Sequence, residues 1–267
     1  MRYWVNLYLQ QLKATTALMF QYRAALAIWM IGHVLEPLVY LAVWSAVASG
    51  RGGQVGDYST RQFAAYFILM MLVNHVNYTW IMYEFEYRVR HGRLSFALLR
   101  PVHPIHSDVA DNLSSKLITF PFMLLVAIVL MLLFQPEFHF HWWAVAVAIP
   151  TLLLTFWVRF LLEWTLANAA FWTTRVSAIN QTYFVMVLFL SGQMAPLSLF
   201  PEAIQWLAKL LPFRWLIGFP VELLLGRLSL GQAVIGWGAL VGWLLVALVL
   251  LRRVWRAGVR NYSAVGA

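Results

Sequence analysis

Apolar positions along this chain gather into long blocks instead of recurring at helical or strand spacing. LITFPFMLLVAIVLMLLF (117–134) and AVIGWGALVGWLLVALVLL (233–251) carry no charge at all. Uninterrupted apolar runs of about 18 or more residues read as membrane-spanning helices, because such a helix matches the roughly 30 Å hydrocarbon core of a bilayer. Four more stretches fit: about 24–48, interrupted by His33, Glu36 and Pro37; about 62–82; about 142–171, long enough to protrude; and about 177–195. The pattern predicts an all-α, polytopic membrane protein with six transmembrane helices in a single unit, 1–267.

Two regions break the block pattern. In residues 1–22, Arg2, Asn6, Gln10 and Lys13 fall on one side of a helix, with Val5, Leu9 and Leu12 on another and Trp4 and Tyr8 off the polar stripe. That distribution predicts a helix lying in the membrane interface, and it lacks the compact apolar core of a cleavable signal. In residues 196–231, Pro196, Pro201, Pro212 and Pro220 cut the chain into short pieces. The piece from Pro201 is amphipathic, with Ile204, Leu207 and Leu211 on one side, and FRWLIGFPVELLL is too short to cross. The expectation is a re-entrant or external hairpin before the last span.

Composition agrees with a membrane chain: 62% hydrophobic, 11% charged, mean hydropathy +0.72. The net charge of +9 invites a nucleic-acid reading. Lysines and arginines flanking apolar spans report topology instead. With six spans both termini share a side, and thirteen Lys and Arg lie on it, against Arg51, Arg61, Lys209, Arg214 and Arg227 on the other. Both termini are therefore expected in the cytoplasm. Without cysteine there are no disulfides or zinc–thiolate sites.

The cytoplasmic stretch VRHGRLSFALLRPVHP (89–104), within the loop 83–116, is basic, opened by Gly92 and stopped by Pro101 and Pro104. Leu94, Ala97 and Leu98 share a face, Phe96 and Leu99 widen it, and Arg88, Arg90, Arg93 and Arg100 suit an anionic lipid or acidic protein surface. Two helical turns are not stable alone, so the apolar side has to be buried, on the chain's own spans or in a partner's groove.

GRLSFALLRPVHP resembles the cytoplasmic loop of bacterial ABC-transporter permeases of the ABC type 2 group, in the branch with a Gly…Leu-Leu-Arg-Pro motif. Six spans, the interfacial first helix, the basic tail and the hairpin SGQMAPLSLFPEAIQWLAKLLPF are similar to that group over essentially the whole chain. The resemblance implies a coupling helix seated on a separate ATPase subunit, with Gly92, Arg93, Leu94, Leu98, Leu99, Arg100 and Pro101 forming the contact. It also implies a second permease, identical or not, a bacterial inner-membrane location and no cofactor in this chain, ATP and Mg being held by the partner.

The chain has no Gly-Lys phosphate loop of its own. GRGGQVGDYST (50–60) is glycine-rich but lacks that pair, and Leu190-Ser191-Gly192-Gln193 only superficially resembles an ABC-ATPase signature. Charges inside spans need partners. His33 and Glu36, three apart beside Pro37, fit either the lining of a substrate path or a structural pair; Arg159 and Glu163, four apart, fit the same two readings, and their mutual match favours the structural pair. His103, His106, Asp108 and Asp111 have no trustworthy metal spacing and read as a solvated loop, as do His139 and His141 on the outer side. The expected activity is export of a hydrophobic or amphipathic substrate, without catalysis in this chain. The rival readings are an ABC importer permease, against which no loop carries Glu-Ala-Ala…Gly; an intramembrane enzyme built on His33 and Glu36; and a lipid scramblase or assembly scaffold.

Overall fold

A computed structural model describes residues 2–173 and 176–262, with side chains from Val5 onward. The side chains of Arg2 and Trp4, and Arg175, lie outside the described residues. The described chain is helical apart from one two-stranded hairpin, β1 (Gln54–Val55) with β2 (Tyr58–Ser59), which is where the glycine-rich 50–60 stretch goes. Gly52, Gly53 and Gly56 supply its positive φ angles.

Among the described residues four helices are long and apolar enough to cross a membrane: α2 (Arg23–Gly50), α6 (Ile105–Phe134), α8 (Ala148–Ala167) with the 3₁₀ turn that extends it to Phe171, and α13 (Leu230–Asn261). The second and fifth apolar segments form α3 (Thr60–Asn77) and α9 (Val176–Leu190). α3 is the central element, buried along nearly its whole length and packed on α2, α6 and α8. A helix that is apolar on all sides belongs in such a place. α9 is short for a full crossing.

Several helix ends differ from the sequence expectation, for local reasons. The 62–82 segment is not continuous: α3 stops at Asn77, residues 78–80 are irregular, and α4 (Ile81–Arg90) carries on. The 142–171 segment is also divided, into α7 (Trp142–Ala146) and α8. Pro150 has no N–H for the carbonyl of Ala146 and its ring crowds that carbonyl, so the turn between them cannot be regular. α13 begins at a capping box, Ser229 with Gln232, and at 32 residues is about 48 Å long. It therefore outruns a bilayer, carrying Arg252, Arg253 and Arg256 beyond it. α6 starts at Ile105, so the end of the 83–116 region is helical.

α1 (Arg2–Gln21) packs along α6. The row that faces α6 is Tyr8, Gln11 and Thr15: Asp111 Oδ1 accepts from Gln11 Nε2 at 2.6 Å and from the Thr15 hydroxyl at 2.7 Å. In the proline-rich region, α10 (Glu202–Leu210) is followed by α11 (Phe213–Leu216) and α12 (Gly218–Leu224). α12 is buried against α3 and α8, with Asn77 Nδ2 donating to Leu216 O at 2.7 Å and Gly218 N–H to Ser191 O at 2.7 Å. On α10, Ile204 and Ala208 face inward, whereas Leu207 is exposed.

Candidate functional site

The basic stretch 89–104 is built around α5 (Leu94–Leu98). Gly92 takes a φ of +67°, a left-handed turn that lets α4 end and α5 begin at once. The five-residue helix is divided by sidedness. Leu94 is fully buried in the chain's own core, and Ala97 and Leu98 pack against that core. Phe96 and Leu99 point away and are 72% and 84% exposed. Leu94, expected in a partner contact, is therefore an anchor, and Phe96 carries the outward apolar surface with Leu99. The Ser95 and Tyr262 hydroxyls lie 3.0 Å apart, tying α5 to the end of α13.

The arginines also separate. Arg93 lies over the Tyr87 ring at 5.1 Å and Arg100 is exposed. Arg88 turns inward, with its Nη2 2.9 Å from Asp108 Oδ1. Asp108 Oδ2 accepts from Trp164 Nε1 at 2.9 Å, and the carboxylate is buried. His103 packs on Trp255 and Trp164, with ring centres 4.6 and 5.6 Å away. The 103–111 segment is thus no solvated loop: its polar residues join α4, α6, α8 and α13. That was not legible locally, because the partners lie 20 to 150 residues away in sequence. Burial between the indoles, together with the nearby His106, lowers the His103 pKa from its ordinary 6.5. His139 and His141, by contrast, are exposed as expected. Among the described residues no three His, Asp or Glu side chains gather as a metal site.

The irregular 78–80 turn is satisfied by buried polar groups, as backbone at membrane depth requires. Lys116 Nζ donates to Tyr78 O at 2.7 Å, and the Thr79 hydroxyl donates to Glu163. Glu163 also receives Arg159 Nε at 2.7 Å, and Arg159 Nη1 donates to Asn74 Oδ1 at 2.9 Å. Arg159 and Glu163 do pair within α8 and are fully buried. They lock α8 to the junction of α3 and α4.

Two cavities flank α2 at this junction. The larger, 650 Å³, is lined by His33, Glu36, Tyr78, Trp80, Arg159 and Gln193, among others. The smaller, 370 Å³, reaches His33, His75, Asp111 and Lys116. Pro37 leaves the His33 carbonyl without its helical donor. The His33 ring stands edge-on to Tyr78 at 4.9 Å and to His75 at 5.7 Å. The Glu36 carboxylate accepts from Gln193 Nε2 at 2.7 Å. His33 and Glu36 thus share one cavity wall, and no nucleophile or metal set joins them among the described residues.

Long apolar helices and a buried helix broken beside two clefts with polar residues on their walls define a multi-pass helical membrane protein. Residues 34–266 match the family model described as ABC-2 family transporter protein, and the chain belongs to that family. It is a permease subunit of an ABC transporter, and the family implies an ATP-binding cassette ATPase as partner. No curated protein matches the chain.

Proposed function

We propose that this chain is the permease of an ABC exporter in the bacterial inner membrane. It crosses six times, with α3 and α9 as the second and fifth crossings, both termini in the cytoplasm, α1 in the interface and α10–α12 folded back on the outer side. Two permeases, identical or not, enclose a path for a hydrophobic or amphipathic substrate. ATP and Mg stay on the ATPase partner, whose closure is passed to the spans through α5.

The observation that carries this reading is the division of α5. Phe96 and Leu99 offer two exposed apolar side chains between Arg93 and Arg100, on a helix whose other side is rooted in the core. Seating such side chains in a partner groove is worth about 1.5–3 kcal/mol each. Two clefts between helices, beside a broken helix, support alternating access, in which a site between helices opens to either side.

The test is purification of the tagged protein from its native host in mild detergent. A stoichiometric ATP-binding subunit should accompany the wild type and be lost from the Phe96→Asp/Leu99→Asp variant, while the variant's melting temperature stays unchanged. A wild type that purifies alone under several gentle conditions, or a variant that keeps its ATPase, overturns the reading.

A further inference from the structure

The larger cavity holds a charge that the rest of the chain does not answer. Glu36 lies close to the middle of α2, at the depth where a carboxylate is most costly in a bilayer. Gln193 and Tyr40 both donate to the same oxygen, Oε1, at 2.7 and 3.3 Å. Among the described residues no donor reaches Oε2, and Glu36 forms no ion pair. Arg159, the permanent cation on the cavity wall, is committed to Glu163 and Asn74. That pair is neutral as a unit, which leaves Glu36 as the acidic side chain of the cavity wall with no cation paired to it among the described residues.

The wall around it is aromatic. Trp80 stacks on Tyr83 at 4.5 Å, and Trp29 meets Trp80 edge-on at 5.1 Å. Trp29 and Trp80 are both only about half covered, which leaves aromatic surface available to an occupant. Aromatic faces attract cations, and more strongly where water is excluded. The same faces and the carboxylate repel phosphates and other anions. A sugar could stack on the rings and bond to Gln193, but it would leave Glu36 unanswered. At 650 Å³ the space suits a compact organic molecule.

We propose that this cavity binds an amphipathic organic cation, with Glu36 as its counter-ion and Trp29, Tyr78 and Trp80 as its aromatic wall. The assignment rests on the transport reading and narrows its substrate class. Gln193 is the positioning residue: it holds one carboxylate oxygen from the far wall, so that the other faces the cavity.

The experiment uses the permease with its ATPase partner, purified from the native host and placed in lipid nanodiscs. Radiolabelled tetraphenylphosphonium is titrated in, with empty nanodiscs as background. Saturable binding is expected, weakened about tenfold or more in Glu36→Gln and largely kept in Glu36→Asp. Tetraphenylborate, the anion of the same shape, should not compete. Trp29→Leu, at a half-exposed position, gives a second reading that does not depend on Glu36 variants folding; it should weaken binding several-fold.

Equal affinity in Glu36→Gln, competition by tetraphenylborate, or no saturable binding overturns the cation site. Competition by an uncharged glycoside overturns it in favour of a sugar. If any of these occurs while the ATPase subunit still co-purifies, the permease reading stands; loss of that subunit from the wild type defeats the permease reading itself.

Discussion

In an Arg159→Met variant, Glu163 keeps the Thr79 hydroxyl but loses its cation, and Asn74 Oδ1 loses its donor. Glu163 cannot turn to water, since it is fully buried, and Asn74 is nearly so. Deleting one partner of a buried ion pair costs about 3–5 kcal/mol, because the other charge is stranded. The Asn74 loss belongs to the same network, so it is not added in full. An unfolded chain still in the membrane also finds substitute partners, which places the expected cost near the lower end, about 3 kcal/mol. For a chain of this size that lowers the melting temperature by about 6–12 °C.

The informative companion is Arg159→Met/Glu163→Leu, which removes both charges and both desolvation costs. It should recover most of the loss, because apolar replacement of a buried pair is often neutral. The assay is thermal unfolding of the purified protein in one detergent, for the wild type, both single variants and the double. A melting temperature for Arg159→Met within about 2 °C of wild type would refute the reasoning. So would a double variant as unstable as the sum of the singles, since that would mean the pair's charges do not interact.

Two further outcomes follow from the packing. At Gly236 on α13 an added Cβ would collide with the buried Phe219 ring; Gly236→Val should cost about 1–3 kcal/mol by overpacking, seen in the same melting assay, and an unchanged melt would show that α12 is not seated there. Burial holds the folded His103 pKa below the ordinary 6.5. As pH falls through 6.5 the unfolded chain takes up a proton that the folded chain does not, so stability falls; His103→Phe should remove that part of the acid sensitivity, and parallel pH curves for the two proteins would exclude it.

How much of this was legible in the sequence depended on where each residue's partners lie. The runs behind α2, α6 and α13 announced themselves, because an apolar span needs only its own backbone hydrogen bonds. Arg159 and Glu163 could be paired on paper because they are one helical turn apart. The break at Tyr78-Thr79-Trp80 could not be read: it contains neither Gly nor Pro, and what permits it is Lys116 and Glu163, brought in from α6 and α8. Asp108 was misplaced in a solvated loop for the same reason, since its partners are Arg88 and Trp164. Within the basic loop, spacing put Leu94, Ala97 and Leu98 on one face but could not say which face turns inward. The burial of Leu94 beside an exposed Leu99 decides that.

The same geometry limits how a push on α5 could reach the larger cavity. Leu94 is buried in the core and Ser95 meets Tyr262, so α5 cannot shift without moving the end of α13 or the end of α4. α4 is a rigid rod of ten residues, about 15 Å, that leads from Arg90 back to Ile81. Immediately before it stands Trp80, and in its first turn Tyr83, which stack on each other and wall the cavity beside Glu36. Were α3 and α4 one continuous helix, α3's burial against α2, α6 and α8 would hold that rod fixed. The irregular 78–80 turn breaks that continuity, and Lys116 and Glu163 hold its backbone and Thr79 through side-chain bonds. Of the two elements joined to α5, α4 is the one that leads to the cavity wall, through Trp80 and Tyr83, and Arg88 ties it to Asp108 on the way.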